Sequence, residues 1–297
     1  MMQNQSERVP KGFQLADQGS SNRISVALES PADVFLSEPC RFYFEALRPN
    51  VFRTTFTSAS HPAPPYPSAH RPEPDFSRAK KKDTLDGQSR KVEFVNGATK
   101  ALVEWESGPP TVSLYYEGDR GDGTWDLIHR DLQYRSYAVD GDGVSHYTVY
   151  NKDTLHVGLG EKAAPMDLSG RGFQITASDT FGYDAYRTDP LYKHIPLLIN
   201  ATPKGCVAIF STSHARASWA VGSEIDGLWG RYKVYRQAHG GLEEYLITGR
   251  ALADVVRTYA ELVGFPLPVP RYVSLLGITF YPLYPVSGAQ FFVNRVL

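Results

Sequence analysis

The stretch from residue 154 to residue 199 decides the fold, because it begins and ends as a β-strand and holds a long loop between them. It starts with Thr154-Leu155-His156-Val157-Gly158 and continues into Gly158-Leu159-Gly160-Glu161-Lys162. It ends with Ile195-Pro196-Leu197-Leu198-Ile199, whose aliphatic side chains favour a buried strand. The glycines allow tight backbone turns where the chain leaves the first strand. The pattern therefore predicts two strands joined by a long polar and aromatic loop.

Strand-like segments continue on both sides of this stretch. Arg23-Ile24-Ser25-Val26-Ala27-Leu28-Glu29 alternates polar and apolar residues, as a half-buried strand does. Asn96-Gly97 lies between two more such runs and predicts a hairpin turn with a slightly longer loop. Many short strands with frequent turns predict an antiparallel β-sandwich. The other strand candidates are 41–45, 51–56, 91–95, 101–105, 112–116, 145–150, 206–210, 232–235 and 242–247.

Two regions depart from the strand pattern. The Pro-rich segment 61–74 and the basic run 78–82 predict a surface loop or disordered insertion rather than a central strand. Apolar residues at helical spacing predict one helix between Gly249 and Gly264, and Pro266 prevents its continuation. We therefore predict a mostly β chain, an antiparallel sandwich followed by one C-terminal helix and a short irregular tail. The predicted divisions are a flexible N-terminus at 1–22, the sandwich at 23–248 with an insertion at 58–90, a linker helix at 249–264 and a Pro-rich tail at 265–297.

The composition excludes several classes of protein. A formal net charge of −1 over 297 residues argues against wholesale binding of nucleic acid or of an anionic membrane. Two cysteines, Cys40 and Cys206, are too few for a disulfide scaffold. The N-terminus lacks the apolar stretch of a secretory signal, and no segment approaches the roughly 20 apolar residues of a transmembrane helix. We expect a cytoplasmic protein without a nucleic-acid or membrane partner, unless its N-terminus is mis-annotated.

Chemistry-bearing residues concentrate in the loop that follows Lys162. The sequence contains no Gly-x-Ser-x-Gly elbow, Walker loop, Cys-x-x-Cys pair or His-x-x-x-His pair. Asp140-Gly141-Asp142-Gly143 opens like a calcium loop but lacks its later ligands, so we interpret it as an acidic turn. In the long loop, carboxylates suit hydrogen bonds from sugar hydroxyls, and aromatic faces suit sugar C–H surfaces. These residues alone leave a purely structural Ω-loop as the alternative.

Two ordered sets of residues resemble one family. The first set is Gly158-Leu159-Gly160-Glu161, Asp179, Phe181-Gly182-Tyr183-Asp184 and the run from Asp189 to Pro196. The second set is Glu244-Tyr245-Leu246-Ile247, the run from Leu252 to Tyr259 and Pro270-Arg271-Tyr272. Across residues 145 to 272 the chain is similar to the N-terminal domain of glycoside hydrolase family 31, the α-glucosidases and their relatives.

This resemblance implies a fold, a reaction and a site. It implies a galactose-mutarotase-like β-sandwich before a (β/α)8 barrel, and retaining hydrolysis of α-glycosidic bonds by two aspartates on that barrel. It also implies a sandwich loop over the barrel mouth, in which an aspartate contacts sugar hydroxyls. Asp179 matches that aspartate, although an aspartate can also cap a turn. Tyr183 and Asp184 are further substrate-binding candidates, but for them and Asp189 we favour a role in shaping the loop.

The implied partner is a carbohydrate of the α-glucoside type. We expect no cofactor and no metal, because this hydrolysis needs only carboxylates and water. The similarity stops just after Val273 and the chain ends at Leu297, whereas a barrel takes about 250 residues. We therefore expect no catalytic residue here and no activity from the chain alone. Segment 265–297 would be a truncated or mispredicted start of the barrel on which the domain would normally pack.

Two other functions stay open from the sequence. The first is a stand-alone carbohydrate-binding module that uses the loop from Asp179 to Tyr192. The second is a sugar mutarotase, although no stretch resembles the His-x-x-Phe-Asn segment of the aldose epimerases. Such an enzyme needs a positioned histidine and glutamate. The candidates are His146, His156, His194, Glu243 and Glu244.

Overall fold

The computed structural model describes residues 7–16, 25–34, 36–65, 79–84, 90–106, 108–118, 123–228 and 230–265. Within these parts nearly all regular structure is β-strand, and neighbouring strands pair antiparallel. Buried and more exposed residues alternate along many strands, so one face of each enters the core. The strands are β1 (Glu7–Arg8), β2 (Gln14–Leu15), β3 (Ser25–Glu29), β4 (Arg41–Arg48), β5 (Val51–Thr57), β6 (Ala79–Thr84), β7 (Lys91–Asn96), β8 (Thr99–Glu104), β9 (Thr111–Glu117), β10 (Trp125–Arg130), β11 (Tyr137–Asp140), β12 (Gly143–Val149), β13 (Leu155–Gly160), β14 (Arg171–Ile175), β15 (His194–Thr202), β16 (Gly205–Ser211), β17 (Ala217–Asp226), β18 (Gly230–Gln237) and β19 (Leu242–Gly249).

Two of the sheets share the main core. The six-stranded sheet has the order β1-β11-β12-β18-β17-β14, and the eight-stranded sheet has the order β13-β15-β16-β19-β5-β4-β3-β2. Phe42 and Phe56 of the eight-stranded sheet pack on Tyr137 of the six-stranded sheet. The centroid of the Tyr137 ring lies 5.3 Å from that of Phe42 and 5.1 Å from that of Phe56. Trp219 and Tyr235 are fully buried in the same core. The predicted antiparallel sandwich is therefore confirmed.

A five-stranded sheet, in the order β10-β9-β8-β7-β6, extends this core. The ring of Phe94 on β7 lies 4.9 Å from the ring of Phe44 on β4. Val92 and Leu114 are buried in the same cluster as the side chains of the other two sheets. One continuous hydrophobic core thus packs all three sheets together. The strands from which the loops leave are therefore fixed in position.

The predicted C-terminal helix is confirmed as α1 (Leu252–Val263). The Asp254 carboxylate accepts a hydrogen bond from the Ala251 backbone N–H at 2.8 Å, which satisfies a donor at the helix start. Val255 and Leu262 are buried against the eight-stranded sheet, on the face opposite the main core. By their internal contacts the residues form two units, 1–262 and 263–297. The structure describes only residues 263–265 of the second unit.

Three details differ from the sequence-based expectation. Residues 7–16 belong to the sandwich rather than to a flexible end, because β1 pairs with β11 and Phe13 is completely buried. Ala79–Thr84 form an edge strand where the basic run predicted a loop, and lysines are well tolerated at sheet edges. The hairpin at Gly97 is tighter than predicted, because Asn96 pairs directly with Thr99.

The sequence pattern also missed β10, β11, β14 and β17. The first half of β17, Ala217-Ser218-Trp219-Ala220-Val221-Gly222, is made mostly of small residues with weak strand preference. It forms a strand because it pairs with β14 on one side and β18 on the other. The predicted tail at 265–297 lies outside the described residues apart from Phe265, as does the segment 66–78 of the Pro-rich and basic region.

Two adjacent valines test the packing of α1. Val255 is fully buried, whereas Val256 is nearly half exposed. Val255→Ala is expected to lower the free energy of unfolding by about 2 kcal/mol, because it empties a packed site. Val256→Ala, the matched control, is expected to change it by less than about 0.5 kcal/mol. Urea unfolding measures both, and equal losses would contradict the described orientation of the helix.

Candidate functional site

The candidate site is the loop of residues 176–193 between β14 and β15. The C-terminal end of the loop leads into β15, which pairs with β13. This pairing is irregular at Gly158 and Gly160 of β13. A Cβ atom on Gly158 would lie 2.2 Å from the Leu197 carbonyl oxygen, and the two glycines have φ of 117° and 82°. Only glycine allows this approach and this backbone conformation. The Gly-Leu-Gly run thus allows β13 to pack closely on β15, the strand at which the loop ends.

A buried ion pair fixes the base of the loop. The Lys162 ammonium lies 2.8 Å from Asp189 Oδ1, and its side chain is almost fully buried. The same ammonium donates a hydrogen bond to the Gln174 carbonyl oxygen. Asp189 Oδ2 accepts a hydrogen bond from the Gln174 backbone N–H. Lys162 and Asp189 therefore tie the end of the loop to β14, which places Asp189 in the loop-shaping role favoured from the sequence.

Asp184 organises the outer turn of the loop. Its Oδ1 accepts a hydrogen bond from the Tyr186 backbone N–H at 2.8 Å. Its own backbone N–H donates to Thr188 Oγ1 at 2.8 Å, and its carbonyl oxygen accepts from the Thr188 N–H at 3.1 Å. Arg171 donates to the Tyr186 carbonyl oxygen at 3.0 Å. These bonds hold the turn in one conformation although its residues are exposed to solvent.

Several other side chains of the loop face solvent. Asp179 is exposed, and its carboxylate makes no hydrogen bond or ion pair with any residue that the structure describes. Phe181 and Tyr186 are about four-fifths exposed (86% and 78%), and Tyr183 is 49% exposed. Single exposed rings are ordinary, but these three within six residues form an uncommon surface. We call Asp179, Phe181, Tyr183 and Tyr186 the loop surface.

The histidine and glutamate considered for a mutarotase do meet, but deep in the core. His146 Nε2 lies 3.0 Å from Asp131 Oδ1, and its Nδ1 lies 2.7 Å from Glu244 Oε2. The second contact is an ion pair without good hydrogen-bond alignment. His129 Nε2 also lies 3.0 Å from Asp131 Oδ1, and Tyr137 stacks on the His146 ring at 4.6 Å.

This cluster is electrostatic rather than catalytic. His146, Asp131 and Glu244 are at most 1% exposed, so a sugar cannot reach His146 or Glu244, and both oxygens of Asp131 already accept hydrogen bonds. Burial disfavours a charged imidazole, but Glu244 and then Asp131 overcome it and raise the pKa of His146 to about 10. Burial would raise the pKa of Asp131, yet His146 and His129 lower it to about 2. Asp131 was not foreseen, since nothing in its local sequence marks it.

The other candidate histidines lie elsewhere. His156 Nδ1 lies 2.7 Å from Asn200 Oδ1, which also accepts a hydrogen bond from the Lys233 ammonium at 2.8 Å. Burial, and then the charge of Lys233, lower the pKa of His156 to about 4. Burial lowers the pKa of Lys233 to about 7. His194 is exposed at the start of β15. The structure therefore does not bring the candidate histidines together in one accessible site.

A serine, a histidine and a glutamate also meet near the end of β5. Ser58 Oγ lies 2.8 Å from His61 Nδ1 and donates a hydrogen bond to Glu38. Hydrogen bonds from Ser58 and Ser60 lower the pKa of Glu38 to about 2. A nucleophilic serine must give its proton to a histidine base, whereas this hydroxyl hydrogen is directed at Glu38. The group therefore ties residues 58–61 to Glu38 and is not a catalytic triad.

The thiols and carboxylates of the described residues form no metal or redox site. In the described ranges, no three His, Cys, Asp or Glu side chains are grouped so that they could hold a metal ion. Cys40 and Cys206 are buried free thiols, and burial raises the pKa of Cys40 to about 11. Among the described residues, no helix has the length and apolar character needed to cross a membrane.

The fold and the loop define a β-sandwich domain with an exposed polar and aromatic loop at one strand connection. Residues 41–219 match the family described as the glycosyl hydrolase 31 N-terminal galactose mutarotase-like domain. The chain belongs to this family, and the resemblance inferred from the sequence is confirmed.

Known proteins that resemble this chain in sequence or structure are longer than it. The α-glucosidase of Saccharolobus solfataricus is 31% identical over 130 residues, which is 43% of this chain and 18% of that protein. The dextranase of Flavobacterium johnsoniae complexed with glucose superposes with a TM-score of 0.69 at 17% identity, over 90% of this chain and 29% of that one.

Two further solved structures show the same fold. The cycloalternan-forming enzyme of Listeria monocytogenes, in complex with a pentasaccharide substrate, gives a TM-score of 0.67 at 15% identity, over 90% of this chain and 23% of that one. The glucosidase II alpha subunit gives 0.61 at 14% identity, over 89% of this chain and 34% of that one. The chain thus spans about a third or less of the length of these proteins.

The charge of His146 is open to a direct test. The raised pKa predicts that both ring nitrogens stay protonated up to about pH 9, and 15N NMR of the imidazole measures this. His156 is the internal control, because its lowered pKa predicts a neutral ring at pH 6. A neutral His146 at pH 7 would contradict the buried ion pairs.

NMR is preferable to unfolding for this test. The stability contributed by His146 is complete below about pH 6.5 and is lost as the pH rises towards 10. Lys233 acts with the opposite sign, because its folded pKa of about 7 lies below the ordinary 10.5. Its burial therefore costs less stability as the pH rises over the same range, and the two effects offset each other.

Proposed function

We propose that this chain is the N-terminal, carbohydrate-contacting domain of an α-glucosidase-like glycoside hydrolase. The observation that carries the proposal is that one loop has a fixed base and an exposed, unpaired outer part. Its base is fixed by the buried pair of Lys162 and Asp189, while its outer part presents the unpaired Asp179 beside exposed aromatic rings. A loop held in this way loses little conformational freedom when a ligand binds.

Each candidate residue has a chemical role in this proposal. Asp179 accepts hydrogen bonds from sugar hydroxyls, because an ionised carboxylate offers only acceptors. The half-exposed ring of Tyr183 covers a sugar C–H face and its hydroxyl adds a polar contact. Asp184 uses Oδ1 for its own turn, so it contributes at most one further oxygen and mainly positions Tyr183.

The proposed substrate class is an α-linked glucoside. It is supported by membership of the family and by the names of similar proteins, an α-glucosidase and a dextranase complexed with glucose. Retaining hydrolysis requires two carboxyl groups about 5 Å apart on either side of the bond that breaks. We assign that pair to a following barrel domain, so this chain alone is expected to be inactive and needs no cofactor.

The test has an activity arm and a binding arm. The chain is expected to release no measurable product from an aryl α-glucoside. Maltose is expected to bind weakly, with a Kd of about 1–50 mM, and to shift the backbone amide NMR signals of residues 179–187. Asp179→Asn combined with Tyr183→Ala should weaken this binding at least about fivefold, because it removes an acceptor and a ring.

Asp153→Asn is the matched control, since Asp153 is an exposed aspartate on a different turn. It should leave the maltose titration unchanged. Absence of any shift in the loop at 100 mM maltose would overturn the sugar-contact role. Turnover that depends on Asp179 would overturn the assignment of catalysis to another domain.

We also propose that the exposed side of α1 packs on the barrel domain. Leu252 is 39% and Val256 45% exposed, and they lie one turn apart on the helix, outside the face that contacts the sheet. In this chain Val256→Glu is expected to change the free energy of unfolding by less than about 0.5 kcal/mol. In a chain extended through the barrel it should cost about 2 kcal/mol or more. Equally small effects in both chains would contradict this contact.

A further inference from the structure

A cavity of about 200 Å³ lies at one end of the five-stranded sheet, away from the loop surface in sequence. It forms where β8 ends, where β9 begins and where the chain leaves β10. Polar and charged side chains dominate its lining. They include Glu104, Glu106, Ser113, Arg130, Asp131 and Gln133, and the ring of Tyr134 forms one wall.

The polar groups of the cavity are largely unused by the protein. Within the described part of the chain, the carboxylates of Glu104 and Glu106 and the amide of Gln133 form no hydrogen bond or ion pair. Arg130 donates from Nε to Ser113 Oγ at 3.3 Å, which leaves the outer nitrogens of its guanidinium group for a ligand. The cavity therefore offers acceptors and donors side by side.

The aromatic wall of the cavity is held in a costly backbone conformation. Tyr134 has a φ of 66°, which is rare for a bulky residue. Gly108 permits this turn, because a Cβ atom there would lie 3.0 Å from Tyr134 Cα. On the far side, Ser136 Oγ donates to the Pro110 carbonyl oxygen at 2.7 Å. Such strain persists where the surroundings over-determine it, often at binding sites.

The floor of the cavity is rigid. Asp131 lines it, and Asp131 Oδ2 accepts a hydrogen bond from the Val112 backbone N–H at 2.8 Å. Its other oxygen is shared by His129 and His146. The charge of Asp131 is therefore compensated from inside the core, and the open charges of the cavity are those of Glu104, Glu106 and Arg130.

We propose that this cavity binds one neutral sugar unit, separately from the loop surface. Sugar hydroxyls would donate to Glu104 and Glu106 and accept from Arg130, while a C–H face would rest on the half-exposed ring of Tyr134. The volume is below the roughly 300–1,000 Å³ of pockets for drug-sized ligands, so it suits a single ring. The two glutamates disfavour an anion, and the described residues offer no group able to hold a metal ion.

The full chain is titrated with methyl α-glucoside and followed by backbone amide NMR. Saturable shifts are expected at Ser113 and at residues 130–134, with a Kd of about 1–50 mM. Arg130→Ala should weaken binding at this cavity at least fivefold, while Arg216→Ala, an exposed arginine elsewhere, should not. Glu104→Gln keeps the shape of the side chain and should weaken binding too, which guards against a folding defect in the first variant.

The two sugar sites can be told apart. Asp179→Asn with Tyr183→Ala should leave the cavity titration intact, so failure of the loop surface does not remove this inference. Absence of saturable shifts at residues 130–134 by 100 mM sugar would overturn it. Shifts unaffected by Arg130→Ala and Glu104→Gln would overturn it as well. Binding of glucosamine at least tenfold tighter than glucose would show a cation site instead of a neutral-sugar site.

Discussion

The buried charge of His146 is the interaction on which the three sheets depend. His146 lies on β12 of the six-stranded sheet, Glu244 on β19 of the eight-stranded sheet, and Asp131 directly follows β10 of the five-stranded sheet. Taking these groups out of water is expensive, and their mutual attraction offsets that cost only while all three are present. Removing one partner would leave an uncompensated buried charge and lower the free energy of unfolding by about 3–5 kcal/mol. This triad of His146, Asp131 and Glu244 therefore links the three sheets in addition to the apolar contacts of their shared core.

The sequence predicts the apolar part of this fold well and its polar part poorly. Alternation of apolar and polar residues identifies strands such as β4 and β5, because each buries one face in a shared core. It misses β17, whose small residues form a strand only through partners on both sides. It cannot foresee the triad, since Asp131 and Glu244 are far apart in sequence and come together only when the sheets pack.

The candidate site shows the same division between local and tertiary information. The Gly-Leu-Gly run and the aromatic loop are visible in the sequence, and the structure gives the glycines a clear reason through the close approach to Leu197. The role of Lys162 cannot be predicted from the sequence, because its partner Asp189 lies 27 residues away and comes close to it only in the folded loop. Resemblance to a family located Asp179, whereas geometry distinguishes it from Asp184, whose carboxylate already serves its own turn.

Charge placement separates the paired polar groups of the core from the unpaired ones at the surface of this domain. The core holds a histidine, an aspartate and a glutamate, which are the right types for acid–base work, but every one is committed to another. A buried carboxylate without a partner would be too costly to keep. Unpaired carboxylates among the described residues lie where water reaches them, as do Asp179 in the loop and Glu104 and Glu106 in the cavity. The interior specifies the arrangement of the sheets, and that arrangement holds the loop surface and the lining of the cavity in place.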